Sequence, residues 1–128
     1  MAKRVLLADD EPNIVESLRF LLERAGFEVL VATDGREALD TALQEKPDVL
    51  VLDLMLPELD GYEVLRQLRA NADSAGLPVL MLTAKGQRID RETALKCGAD
   101  LFITKPFANA DITAAVIQLA DKALATSD

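Results

Sequence analysis

The chain has 128 residues, 50% hydrophobic and 28% charged, enough for one domain with an ordinary core, and its lone Cys97 and lack of histidine exclude an internal disulfide and a Cys/His zinc site. Acidic residues outnumber basic ones 22 to 14, for a formal charge of -8, and aromatics make up only 4%. The absence of clustered Lys and Arg and of a stacking platform argues against direct nucleic-acid binding, and no apolar run approaches the roughly 20 residues of a membrane-spanning helix.

The short polar start before Val5 is no secretory leader, so the compartment is read as cytoplasmic and reducing. Val5 to Ala8 is the first of five short apolar runs, and each is followed by residues at helical spacing. Ile14, Leu18, Leu21, Leu22 and Ala25 form the first helical stripe, which stops at Gly26, where glycine takes a left-handed cap most easily. After the run Val29 to Ala32, Asp34 and Glu37 have the spacing of a capping box opening a helix through Ala38, Leu39, Ala42 and Leu43. Val49 to Leu54 comes next, and Asp60 with Glu63 repeats the capping arrangement before Val64, Leu65 and Leu68. Val79 to Leu82 precedes a helix through Ile89, Thr93, Ala94 and Cys97 that closes at Gly98. Leu101 to Ile103 precedes the last, through Ile112, Ala115, Val116, Leu119 and Ala123. This alternation predicts an α/β fold, a doubly wound parallel sheet of five strands with helices on both faces, flavodoxin-like, in the order 2-1-3-4-5. Val49-Leu50-Val51-Leu52 has no polar alternation and is expected to be a central strand covered on both sides.

Ligands in such sheets bind beyond the carboxyl ends of the strands, at the point where strand order reverses. Asp9 and Asp10, Asp53, Thr83 and Lys105 stand at those ends. Two carboxylates about 4 Å apart repel by roughly 4 kcal/mol at an effective dielectric near 20, so three together need a counter-charge. An all-oxygen set of this kind suits Mg²⁺, and Lys105 adds a second positive group. Most of these residues, and the neighbouring candidates, also have a blander reading. Asp10, just before Glu11-Pro12, serves equally as the N-cap of the first helix; Asp34 and Asp60 are caps; Cys97 is a small buried apolar group; Thr83 alone is a strand end and Lys105 alone a solvated charge. Asp53 has no such alternative, because an aspartate closing a Val-Leu-Val-Leu strand is seldom buried for structure alone.

Taken together, Asp9-Asp10, Asp53-Leu-Met-Leu-Pro57-Glu-Leu-Asp60-Gly61, Thr83-Ala84, Gly98-Ala99-Asp100 and Lys105-Pro106-Phe107 resemble the response-regulator receiver domain of bacterial two-component signalling, from Val5 to the last helix. The resemblance implies that Asp53 accepts a phosphoryl group from a sensor histidine kinase or histidine phosphotransfer protein, with Mg²⁺ required. It implies that Asp10, Asp53 and the backbone carbonyl of Met55 bind the metal directly and Asp9 through water, while Thr83 and Lys105 hold phosphoryl oxygens. The family's bond between this lysine and proline is cis, an expectation carried to Pro106. Once Asp53 is phosphorylated, Thr83 is expected to move inward and Phe102, at the family's switch aromatic, to rotate into the space behind it. The face altered consists of the helix after the fourth strand, the fifth strand and the last helix.

Residues 1–128 are thus expected to be a single phosphoacceptor unit, not an enzyme acting on other substrates. It would dock on a separate, unidentified effector protein, without nucleic acid or membrane. Met55 and Lys85 flank the path of water to the acyl phosphate, and their bulk points to slow hydrolysis. The last helix from Asp111 to Lys122 contains no Arg, and Leu101 stands where DNA-binding members commonly have an acid, which puts their charged dimer face in doubt. A haloacid-dehalogenase-type phosphatase needs its nucleophile first in the chain and a second Asp where Met55 stands. A flavodoxin-like cofactor carrier needs a phosphate loop where Asp9-Asp10-Glu11 would repel phosphate. A receiver-like scaffold without phosphorylation is the remaining rival.

Overall fold

The computed structural model describes residues 3–83, 96, 98–105 and 107–126, with side chains through residue 121. Strands β1 (Arg4–Ala8), β2 (Glu28–Ala32), β3 (Val49–Asp53), β4 (Val79–Thr83) and β5 (Leu101–Thr104) form one sheet in the order β2-β1-β3-β4-β5. All its pairings are parallel. This is the expected topology, with the reversal of strand order between β1 and β3. The described helices are α1 (Pro12–Arg24), α2 (Gly35–Glu45), α3 (Gly61–Ala70) and α4 (Asn109–Thr126). The helix expected through Ile89, Thr93, Ala94 and Cys97 lies outside the described residues. Among them, no helix is long and apolar enough to cross a membrane.

The side-chain period of the strands divides the core into two layers. Leu6, Leu50, Leu52, Val79 and Met81 pack on one face with Ala38, Leu39, Val64, Leu65 and Leu68 of α2 and α3. Val5, Leu7, Val49, Val51, Leu80 and Leu82 pack on the other with Leu18, Leu22, Ile112, Val116 and Leu119 of α1 and α4. Every residue of β3 and β4 is buried, which explains their unbroken apolar sequences.

Several boundaries differ from the sequence reading. β3 ends at Asp53, and Leu54 leaves the strand while its N–H donates to Leu82 O at 2.9 Å. β5 extends to Thr104. Ala25 is the exposed C-cap of α1, not part of its buried stripe; Val15 packs on the core instead, and Gly26 takes a φ of 100° beyond the cap. Asp10 is not the N-cap of α1. Glu11 holds that position, with Pro12 opening the helix. Asp34 and Asp60 do cap α2 and α3, accepting from the N–H groups of Glu37 and Glu63. The reciprocal half of each box is altered: Glu37 accepts from Thr33 N–H at 2.8 Å, and Glu63 pairs with Arg66 and Gln67.

Candidate metal centre

Register explains why the acids meet. Ala8 pairs with Leu52, so the next residues on adjacent strands, Asp9 and Asp53, emerge side by side at the carboxyl edge. Asp9 N–H donates to Ala32 O at 3.1 Å, which carries the ladder one residue past β1. The chain then turns, and Glu11 N–H donates to Asp9 Oδ1 at 2.9 Å. A matching turn follows β3, with Met55 N–H donating to Asp53 Oδ1 at 3.1 Å. Both aspartates are buried, whereas Asp10 is exposed. Carboxylate oxygens of Asp9, Asp10 and Asp53 all lie within 4.8 Å of one another.

Two glycines shape the loop behind Asp53. Gly35 N–H donates to Pro57 O at 2.9 Å, and a Cβ on Gly35 would lie 1.8 Å from Leu59 O. Gly61 N–H donates to Leu54 O at 2.8 Å, and a Cβ there would lie 2.8 Å from Asp53 O. No side chain fits either contact, so α2 and α3 press directly on the backbone that carries Asp53 and Met55.

Lys105 enters from β5, where its N–H donates to Thr83 O at 2.7 Å. Its Nζ lies 3.1 Å from Asp53 Oδ2, 2.9 Å from Glu11 Oε1 and 3.5 Å from Asp9 Oδ2. Burial opposes its charge, but the hydrogen bond to Glu11 and the charges of Asp53 and Asp9 outweigh it and hold the ammonium above its usual range. Burial is also the largest influence on Asp9, pushing its carboxyl up to about 6; the Glu11 N–H works against that rise and the Asp53 charge adds to it. Among the described residues, the fully buried Asp9 Oδ2 has no hydrogen-bond donor, since Lys105 at 3.5 Å is an electrostatic neighbour too distant to donate well. An orphaned carboxylate oxygen beside two further carboxylates is a donor set that fits a hard divalent cation.

Thr83 is buried, and its hydroxyl donates to Thr104 Oγ1 at 3.3 Å. Thr83 pairs with Thr104 and Met81 with Phe102, so Thr83 and Phe102 share a face, two positions apart along the β4–β5 ladder. Phe102 is partly buried against the layer formed with α2 and α3. Met55 has an exposed side chain. Pro106, Lys85 and Ala84 lie outside the described residues. Asp9, Asp10, Asp53 and Lys105 therefore meet at one edge of the sheet, and Thr83 ends the neighbouring strand β4. Glu11 was missed as Lys105's partner; as the third acid of Asp9-Asp10-Glu11, it was visible only as charge. Beside Asp9 and Asp10 a groove of about 440 Å³ runs along α1, lined by Pro12, Val15, Arg19 and Phe20 among others, and Phe20 is exposed.

Residues 5–117 match the family model of the response regulator receiver domain. The chain is 49% identical over 116 residues to the alkaline phosphatase synthesis transcriptional regulatory protein PhoP of Bacillus subtilis, covering 91% of this chain and 48% of that protein. It thus spans about half the length of this relative. The chemotaxis response regulator CheY4 of Vibrio cholerae superposes with a TM-score of 0.86 at 29% identity, covering 93% of this chain and 99% of that one. The receiver domain of sensor histidine kinase PA1611 from Pseudomonas aeruginosa PAO1 superposes with a TM-score of 0.82 at 29% identity, covering 94% and 99%. The PA1611 crystal structure has a magnesium ion coordinated in the active-site cleft.

Proposed function

This chain belongs to the family of response regulator receiver domains, and from that premise we propose that Asp53 accepts a phosphoryl group from a phosphohistidine on a sensor histidine kinase or histidine phosphotransfer protein. One observation carries the reading: Asp53, buried at the end of β3, has Asp9 and Asp10 within metal-sharing distance and the Lys105 ammonium 3.1 Å from its Oδ2.

An Asp53 oxygen forms the new bond to phosphorus as the bond from phosphorus to the donor's imidazole nitrogen breaks, and that nitrogen leaves with the electron pair. The donor brings the driving force, so Asp53 needs only to be ionised and in line. Asp9, Asp10, Asp53 and the Met55 carbonyl would hold Mg²⁺, and when bound it would supply neutralisation of charge on the phosphoryl oxygens. Lys105 donates to one phosphoryl oxygen and Thr83 to another, both from rigid strand ends. The phosphorylated form loses its group to water slowly, because Met55, two residues after Asp53, crowds the approach.

Output follows from the ladder that links Thr83 to Phe102. Drawing the Thr83 hydroxyl toward the phosphoryl group vacates space on the face that Phe102 shares, and the aromatic ring turns into it. The surface around β5 and α4 then presents a different face to a protein effector. The groove along α1 beside Asp10, with exposed Phe20, suits the docking of the phosphodonor. Residues 1–128 act as one cytoplasmic phosphoacceptor switch that catalyses only its own phosphorylation and dephosphorylation, without contact to nucleic acid or membrane.

Incubation with acetyl phosphate and Mg²⁺, read by intact mass, tests this. The expected result is a gain of one phosphate that disappears in Asp53→Asn or with excess chelator. A chain that stays unmodified, or one that steadily hydrolyses acetyl phosphate without retaining phosphate, overturns the proposal.

A further inference from the structure

Glu11 occupies the N-cap of α1, yet its side chain makes no capping bond. The carboxylate reaches instead to Lys105, accepting from Nζ at 2.9 Å, closer than the 3.1 Å between that nitrogen and Asp53. The backbone of Glu11 is fixed at the same time, because its N–H donates to Asp9 Oδ1. An ammonium has three N–H donors. Glu11 and Asp53 accept two of them at 2.9 and 3.1 Å, and Asp9 Oδ2, at 3.5 Å, faces the ammonium without a hydrogen bond. A phosphoryl group on Asp53 brings several strong acceptor oxygens, and an ammonium that turns its donors to them gives up present neighbours. The side chains of Asp9 and Asp53 are 0% and 4% exposed and so are shielded from bulk solvent, whereas that of Glu11 is 56% exposed. Glu11 is therefore the neighbour released at least cost.

We propose that Glu11 is a positioning residue that tethers Lys105 in the resting state and competes with the phosphoryl group for its ammonium. The inference rests on the reading of Asp53 as phosphoacceptor. Its consequence is a bias: the tether keeps the unmodified form favoured, and phosphorylation has to displace it. Removing the carboxylate leaves Lys105 with no exposed partner to abandon.

The test compares wild type with Glu11→Gln, which keeps the size of the side chain but removes its charge. Beryllium fluoride in saturating Mg²⁺ serves as the phosphoryl mimic, titrated while the Thr83 amide is followed by NMR. The variant is expected to bind it roughly twofold to fivefold more tightly, the scale of one partly exposed ion pair. In the metal-free protein, the Lys105 side-chain signals are expected to move between wild type and variant. Equal or weaker binding, or unmoved Lys105 signals, overturns the inference. A wild-type protein that takes up no beryllium fluoride sinks the phosphoacceptor reading first, and the metal-free comparison still reports on the tether by itself.

Discussion

Asp9 is a carboxylate that folding does not favour in its charged form. Its folded value of about 6 lies above the ordinary 3.8 of an unfolded chain, chiefly through burial. The folded state therefore holds its proton more tightly. The contribution of Asp9 to stability is favourable at low pH and is lost as pH rises from about 4 through about 6, a change on the order of 3 kcal/mol. Asp9→Asn is expected to stabilise the metal-free protein at neutral pH by a similar amount in urea denaturation, and to weaken Mg²⁺ binding. An unstabilised variant with normal Mg²⁺ affinity contradicts this assignment. The same proton competes with the cation, so calorimetric Mg²⁺ affinity is expected to fall roughly tenfold between about pH 7 and about pH 5. Affinity independent of pH across that range would show that Asp9 is not part of the site. At this scale the sequence was informative where a residue broke its local pattern: Asp53 ends an apolar strand, and Asp9-Asp10 follows another. It was silent on Glu11, because a bond between positions 94 residues apart leaves no mark on local spacing.

Among the elements, the loop after β3 depends on neighbours as much as on its own residues. Gly35 opens α2, far from Asp53 in the chain, but its backbone fills the space beside Leu59 and its N–H holds Pro57 O. Gly35→Ala places a methyl group against backbone that has no rotamer to yield. It is expected to cost about 2 to 3 kcal/mol in urea denaturation. It is also expected to weaken Mg²⁺ binding several-fold, because the displaced loop carries Met55. A variant with wild-type stability and Mg²⁺ affinity would mean the loop is not clamped there. Element types were legible throughout the described chain, since apolar runs and helical stripes have distinct periods. Their ends were less so. Both capping aspartates were foreseen from spacing, while the exact partners of Glu37 and Glu63 were settled by neighbours such as Thr33 and Arg66.

Across the whole molecule, the order β2-β1-β3-β4-β5 does the positioning: it sets β1 beside β3 so that acids far apart in the chain become neighbours, and it brings Lys105 across from β5. That order follows from right-handed crossovers between parallel strands, which is why the location of the site was legible before its distances were. What strand order does not encode is the charge state of the assembled cluster, since desolvation depends on how completely the helices cover it. The account turns on Asp53 being the residue that carries the phosphoryl group when Mg²⁺ is present. Borohydride reduction after treatment with acetyl phosphate converts an acyl phosphate of aspartate to homoserine, and peptide mapping then locates it. The account predicts homoserine at position 53, dependent on Mg²⁺; homoserine at another aspartate, or none at all, would contradict it.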